Sequence, residues 1–277
     1  MIRNPVFEIM KAQIQNPNLK RNDDVPVNPK KKPSWQEFAG RLFAGGTIAG
    51  AATIYAAWSN QLKLNPDLKA PFPTVFRRAI ASQAAMKTGQ FTLFISAQRA
   101  LAEQFPDNKR TVTAVAYCGA ATVTQGSIYT MATRVILRAA GRVTSSLSGL
   151  DLLKGIRVAF KPTLAREFGS TSAAIALTED VENFLGAIFP KDVTKVLGAP
   201  TAGLICGLGT QFVHNVALTE SKHASEGKPP STVAAAREVI KNNGWHSLYR
   251  GFFPARAVLI MLGAVVGSKV LGPLKRE

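Results

Sequence analysis

VLGAPTAGLICGLGTQFVHNVALT, residues 196–219, runs for 24 residues without Asp, Glu, Lys or Arg. A helix needs about 20 residues to cross a hydrocarbon core of about 30 Å, so this stretch is long enough to span one. Its Gly203-Leu204-Ile205-Cys206-Gly207 sets two glycines four apart on one helix face, where a second backbone can approach closely. Two further charge-free runs, residues 42–62 and 111–133, are 21 and 23 residues long, and the first repeats the spacing at Gly46 and Gly50. Three shorter ones, 88–98, 168–178 and 257–268, are 11, 11 and 12 residues long. Lys87, Arg99, Arg166, Glu167, Glu179, Arg256 and Lys269 bound them. Along the chain the order is long, short, repeated three times.

The short runs span only if each helix continues through its bounding charges. Such charges are costly against lipid and tolerable against a water-filled cavity. The pattern therefore predicts an all-α membrane protein with six transmembrane helices in three tandem helix pairs around a polar centre. The expected divisions are an extended basic tail over 1–33 and repeats over 34–105, 106–189 and 190–277. A soluble alanine-rich helical repeat is the alternative reading of the same runs.

Punctuation places several boundaries. Phe105-Pro106-Asp107-Asn108 separates the second predicted helix from the third, and Phe189-Pro190-Lys191-Asp192 the fourth from the fifth. Pro162 and Pro254 suit the first turn of a helix, where a missing N–H costs no bond. Ser34, with Glu37 three residues on, has capping-box spacing. After Gly227-Lys228-Pro229-Pro230-Ser231-Thr232, a short amphipathic helix is expected over residues 233–241.

Composition bounds the chemistry. A formal charge of +17 draws the chain to polyanions without choosing among them. The basic residues gather at predicted helix ends and in the tail, as interface anchors do, so nucleic acid is not an expected partner. Cys118 and Cys206 sit in apolar small-residue stretches and read as packing residues. The histidines, His214, His223 and His246, make no metal pair, and no catalytic constellation, nucleotide fingerprint or metal-ligand spacing stands out. The chain is therefore not expected to be an enzyme. The tail has no apolar core, so it is not a secretory signal.

Asn243-Gly244-Trp245-His246-Ser247-Leu248-Tyr249-Arg250-Gly251-Phe252-Phe253-Pro254 resembles the loop that closes a repeat of the mitochondrial carrier family, with Asn243 in place of an acid. Residues 155–167, GIRVAFKPTLARE, resemble the same loop entering an even-numbered helix, and Pro162 lies 92 residues before Pro254. Residues 44–51 resemble the start of a carrier's first helix. The resemblance covers residues 35–275 and implies six helices, short matrix helices, a mitochondrial inner-membrane location and bound cardiolipin. For the lipid it implies the turn Tyr249, Arg250 and Gly251, a helix N-terminus beside a basic residue. It places Arg166 and Glu167 at a substrate contact on the fourth helix, with Lys87 and Arg256 as further cavity-facing candidates.

The departures from the family bear on function. Carriers end each odd helix with Pro-x-acid-x-x-basic, and the acid–base pairs close one gate. Here the corresponding positions are Ser59, Gln61 and Leu64, then Met131-Ala132-Thr133-Arg134, then Val216, Leu218 and Ser221. One register earlier the third set is Asn215, Ala217 and Glu220. The opposite gate is equally eroded at Ala97-Gln98, at Thr178-Glu179 with Glu182, and at Val270-Leu271. The leading expectation is a carrier-fold protein that has lost alternating access. It would serve as an accessory subunit of a respiratory-chain or ATP-synthase complex, alongside other subunits and cardiolipin. The alternatives are a divergent transporter of a small anionic or amino-acid-like solute, and an outer-membrane factor that helps insert other proteins.

Overall fold

The computed structural model describes residues 71–146, 148–252 and 257, all within the unit Ala39–Glu277. Every regular element among them is helical. The expectations for the tail, the first long run, Arg256 and most of the last short run lie outside the described residues.

Helix α1, Phe72–Gln104, begins on Pro71 and Pro73 and stops before Pro106. Helix α2, Lys109–Ala139, returns against it. Phe94 packs here against Ala116 and Ala120, and its ring meets Tyr117 edge-on at 5.4 Å. Gly141, at φ 70°, ends α2: its left-handed backbone lets the Arg142 N–H reach the Leu137 carbonyl at 2.8 Å.

Helix α3, Gly149–Arg157, starts on a capping box in which Ser148 and Asp151 satisfy each other's backbone N–H. It lies close against α2 because two glycines meet: a Cβ on Gly126 would stand 2.3 Å from the Gly155 carbonyl oxygen. Ser127 Oγ donates to the Leu152 carbonyl at 2.6 Å beside that contact.

Ala159, at φ 57°, turns the chain into α4, Phe160–Glu167, and Pro162 falls in its first turns as expected. A π-helical turn, Phe168–Ser172, joins α4 to α5, Ala173–Gly186. Ala159 is the one described non-glycine with positive φ. It lies three positions before Pro162, and Gly251, at φ 73°, lies three positions before Pro254. The two loops that looked alike in sequence thus share a left-handed residue at the same step.

The run 196–219 was expected as one straight span and is broken. Helix α6, Lys191–Gly209, and helix α7, Gln211–Ser225, meet at 58°. Pro200 lies inside α6, yet the break falls at Thr210, just after Gly209. Thr210 Oγ1 donates back to the Cys206 carbonyl at 2.9 Å, a bond that bends helices. Its methyl rests on Gly169 of the π-turn, where an added Cβ would stand 2.8 Å away.

Helix α8, Thr232–Asn243, is capped by Ser231, which accepts from the Ala234 N–H at 3.3 Å. Ala235 and Val239 pack it onto Val216 of α7. Glu238 fastens the other edge, accepting from Lys222 Nζ at 2.7 Å and pairing with His223 Nε2 at 2.5 Å. Nearby Glu220 accepts from Thr232 at 2.9 Å. Burial pushes the Glu238 carboxyl up, but the bonds from Lys222 and His223 outweigh it and hold its pKa below the ordinary 4.5. A carboxylate with a lowered folded pKa stabilises above its unfolded pKa and loses that contribution as pH falls through the folded value. Hydrogen-exchange protection of α8 is therefore expected to hold above pH 4.5 and to be lost as the pH falls below it through the lowered folded pKa. Glu238→Gln should flatten the profile. An undiminished fall in that variant would assign it to another group.

None of the described helices is, by itself, long and apolar enough to cross a membrane, and the bent α6–α7 pair passes that test jointly. The charge-free run in α2 is long but carries Thr122, Gln125, Ser127, Thr130 and Thr133, which lower its hydropathy. These side chains are buried, as are Gln83, Gln90, Glu167 and His214. Phe168, Phe184, Val196 and Ile205 are instead 60% exposed or more. The described helices thus turn many polar groups inward and many large apolar ones outward.

Candidate functional site

The charged residues that stand out in the sequence converge on one place. Lys87, on α1, donates to Gln90 Oε1 at 2.8 Å, one turn on, and to Gln125 Oε1 of α2 at 2.9 Å. One turn further along α2, the Tyr129 hydroxyl accepts from Arg166 of α4 at 2.7 Å and meets His214 Nδ1 of α7 at 2.8 Å. The Tyr129 and His214 rings also meet edge to face at 5.3 Å.

Arg166 and its neighbour Glu167 form an ion pair, and Glu167 is 2% exposed. Adjacent helix positions point about 100° apart, and the guanidinium turns back to join the carboxylate beneath Tyr129. Lys87 lies within the electrostatic reach of both partners. Lys87, Arg166 and Glu167 are thus together, held by side chains from four helices. Arg256 lies outside the described residues.

The cluster is richer in donors than its partners can use. Gln83 Nε2, one turn before Lys87, and Arg166 Nε are buried without a hydrogen-bond acceptor among the described residues. The neighbouring Thr163 hydroxyl is in the same state. Orphaned buried donors are uncommon because each forfeits its bond to water.

Sequence reasoning found the charges and missed Gln83, Gln125, Tyr129 and His214. The available signal was spacing: Gln83, Lys87 and Gln90 share one face of α1, and Gln125 and Tyr129 share one face of α2. His214 is 6% exposed.

The end of the bundle beyond this cluster is tightly packed. Val75, Tyr129, Ile136, Leu137, Ala159, Ala217 and Leu218 form its apolar core. Met131, Ala132, Thr133, Val216, Leu218 and Ser221, which the resemblance in sequence sets against a carrier gate, are each 3% exposed or less. Nearer the other end, Gln98 donates to Thr113 at 2.9 Å, where carriers hold a charged gate.

The Tyr249-Arg250-Gly251 turn borders a recess of about 430 Å³ together with His246. The Arg250 carbonyl accepts from Gln211 at 2.9 Å and from Asn215 at 3.2 Å, which ties the turn to α7. The Arg250 guanidinium donates to the Asn243 amide oxygen, so Asn243 serves the basic residue where carriers have an acid.

Compared with known proteins, the chain matches no protein-family model and no curated relative. Its class rests on its own geometry, helices packed around a buried polar cluster with no strand among the described residues.

Proposed function

We propose that the chain is a carrier-fold protein of the mitochondrial inner membrane that no longer alternates access and serves as a structural subunit of a respiratory-chain or ATP-synthase complex. Polar groups turned inward and apolar ones turned outward support a lipid environment. The packed end carries the rest of the reading. A gate of surface ion pairs breaks and reforms cheaply, whereas wetting a buried Met, Val or Leu costs about 2 kcal/mol each. Opening this end past Ile136, Leu137 and Leu218, all buried in its core, would cost on the order of 5 kcal/mol and leave the open form well under 0.1% populated. Such a bundle is suited to holding a position rather than cycling. The Tyr249–Gly251 recess, with its basic residue, suits a cardiolipin phosphate in the same reading.

Native electrophoresis of mildly solubilised membranes, with mass spectrometry of each band, tests it. Stoichiometric migration with one large complex is expected. A free species near 30 kDa plus detergent would overturn the reading.

That Gln83 Nε2 and Arg166 Nε have no acceptor among the described residues favours a second reading, a divergent transporter of a small anionic or amino-acid-like solute. Exchange by the purified protein in liposomes, abolished by Arg166→Ala, would decide for that one.

A further inference from the structure

A cavity of about 340 Å³ opens between the end of α2, helix α3 and the linker from α7 to α8. Thr130 and Arg134 line it from α2, Asp151, Lys154 and Arg157 from α3, and Lys228 from the linker. Thr130 follows Tyr129 and so faces about 100° away from the Lys87–Arg166 cluster.

The four basic groups differ in what they have left to give. Lys228 is committed to Glu226 at 2.9 Å. One terminal nitrogen of Arg134 donates to Ser145 at 2.5 Å, but its Nε–H is buried without an acceptor among the described residues. Lys154 and Arg157 are exposed at the rim. The one carboxylate, Asp151, is occupied by the Ser148 N–H and hydroxyl, both at 3.0 Å. Setting Lys228 aside, Arg134, Lys154 and Arg157 against Asp151 leave a surplus of two positive charges.

Thr130 supplies a second, independent sign. Its hydroxyl is buried with no partner among the described residues, and its side chain is 5% exposed. Many helical threonines bond back to the carbonyl four residues earlier, as Thr124 and Thr133 do here. Thr130 lies against Gly155 instead, where an added Cβ would approach its oxygen to 2.7 Å.

We propose that this cavity binds a small phosphate-bearing anion. A surplus of two charges matches a phosphate dianion, and its oxygens can accept from a guanidinium edge, a hydroxyl and an ammonium together. A monocarboxylate would neutralise only one of the two surplus charges. The volume is at the lower end for small-molecule sites, which limits the organic part to a few atoms or leaves it outside as a lipid tail.

The test uses the full chain in neutral detergent and follows thermal unfolding and calorimetric binding. Glycerol 3-phosphate and phosphatidic acid in mixed micelles are the probes, with sodium chloride at matched ionic strength as control. Saturable stabilisation above the control is expected. Saturation by glycerol 3-phosphate identifies a soluble ligand, and saturation by phosphatidic acid alone identifies a lipid headgroup. Lys154→Gln and Arg157→Gln, at exposed positions that leave folding intact, should each weaken binding about tenfold, the scale of one charged hydrogen bond. Arg134→Gln should weaken it further. No saturation beyond chloride with either probe, or binding unchanged in Lys154→Gln and Arg157→Gln, would overturn the proposal.

Discussion

Glu167→Ala lowers the stability of the full chain by about 3–5 kcal/mol, the cost of stranding a buried charge. The carboxylate is almost inaccessible, and it faces Arg166 with Lys87 in reach. Removing it leaves two cations among amides and a phenol, none of which carries negative charge. Replacing both members of the pair by apolar residues of similar size, Arg166→Met with Glu167→Leu, recovers a good part of the loss, since the desolvation of both ions goes with them. Recovery stays incomplete because Lys87 keeps only Gln90 and Gln125. Thermal unfolding in detergent should rank wild type first, the double variant second and Glu167→Ala last. A single variant as stable as wild type would mean that the pair is not buried in the native protein.

Two glycines that look equally crowded should respond differently to alanine. On Gly126 the new methyl meets backbone, the Gly155 carbonyl at 2.3 Å and the Val158 carbonyl at 3.2 Å. Backbone inside a capped helix cannot step aside, so Gly126→Ala must push α3 away from α2. The expected cost is about 3 kcal/mol, the upper range for overpacking. On Gly198 the nearest atom is closer, 2.1 Å, but it is the Cγ of Glu182, a flexible side chain. Gly198→Ala is then expected to cost under about 1 kcal/mol, partly offset by the better helix propensity of alanine. Unfolding midpoints compare the two, and limited proteolysis of the 140–148 connection reports whether α3 has undocked. Equal losses would mean that Glu182 is as fixed as the backbone.

The parts of the fold that were legible in the sequence are those marked by strong local chemistry. Pro106 and Pro190 removed helix-continuing N–H groups, and α1, α2, α5 and α6 end or begin at those places. Pro-Pro-Ser before a short amphipathic stretch announced α8. The bend at Thr210 was not legible, because the obvious breaker, Pro200, sits inside a continuous helix. The bend arises where a threonine bonds backward and the π-turn leaves room opposite it, a tertiary coincidence. The site divides in the same way. Lys87, Arg166 and Glu167 are conspicuous because charges in apolar context are expensive. Gln125, Tyr129 and His214 are unremarkable in a charge-free run and gain meaning only when three other helices bring them partners.

Ala159 and Gly251 adopt the same backbone state with unequal ease. A left-handed alanine is disfavoured by about 1–2 kcal/mol, whereas glycine takes that state freely. Ala159 is fully buried among Val75, Leu137 and Leu218, so its neighbours impose a conformation it would not choose alone. The order of assembly follows. The turn at Gly251 can close locally, while the turn at 159 has to wait for contacts from α1, α2 and α7, distant in sequence, and for the loop entropy they cost. The middle of the chain is therefore the late-folding part, and a nascent chain has to complete α7 before its fourth helix can be set.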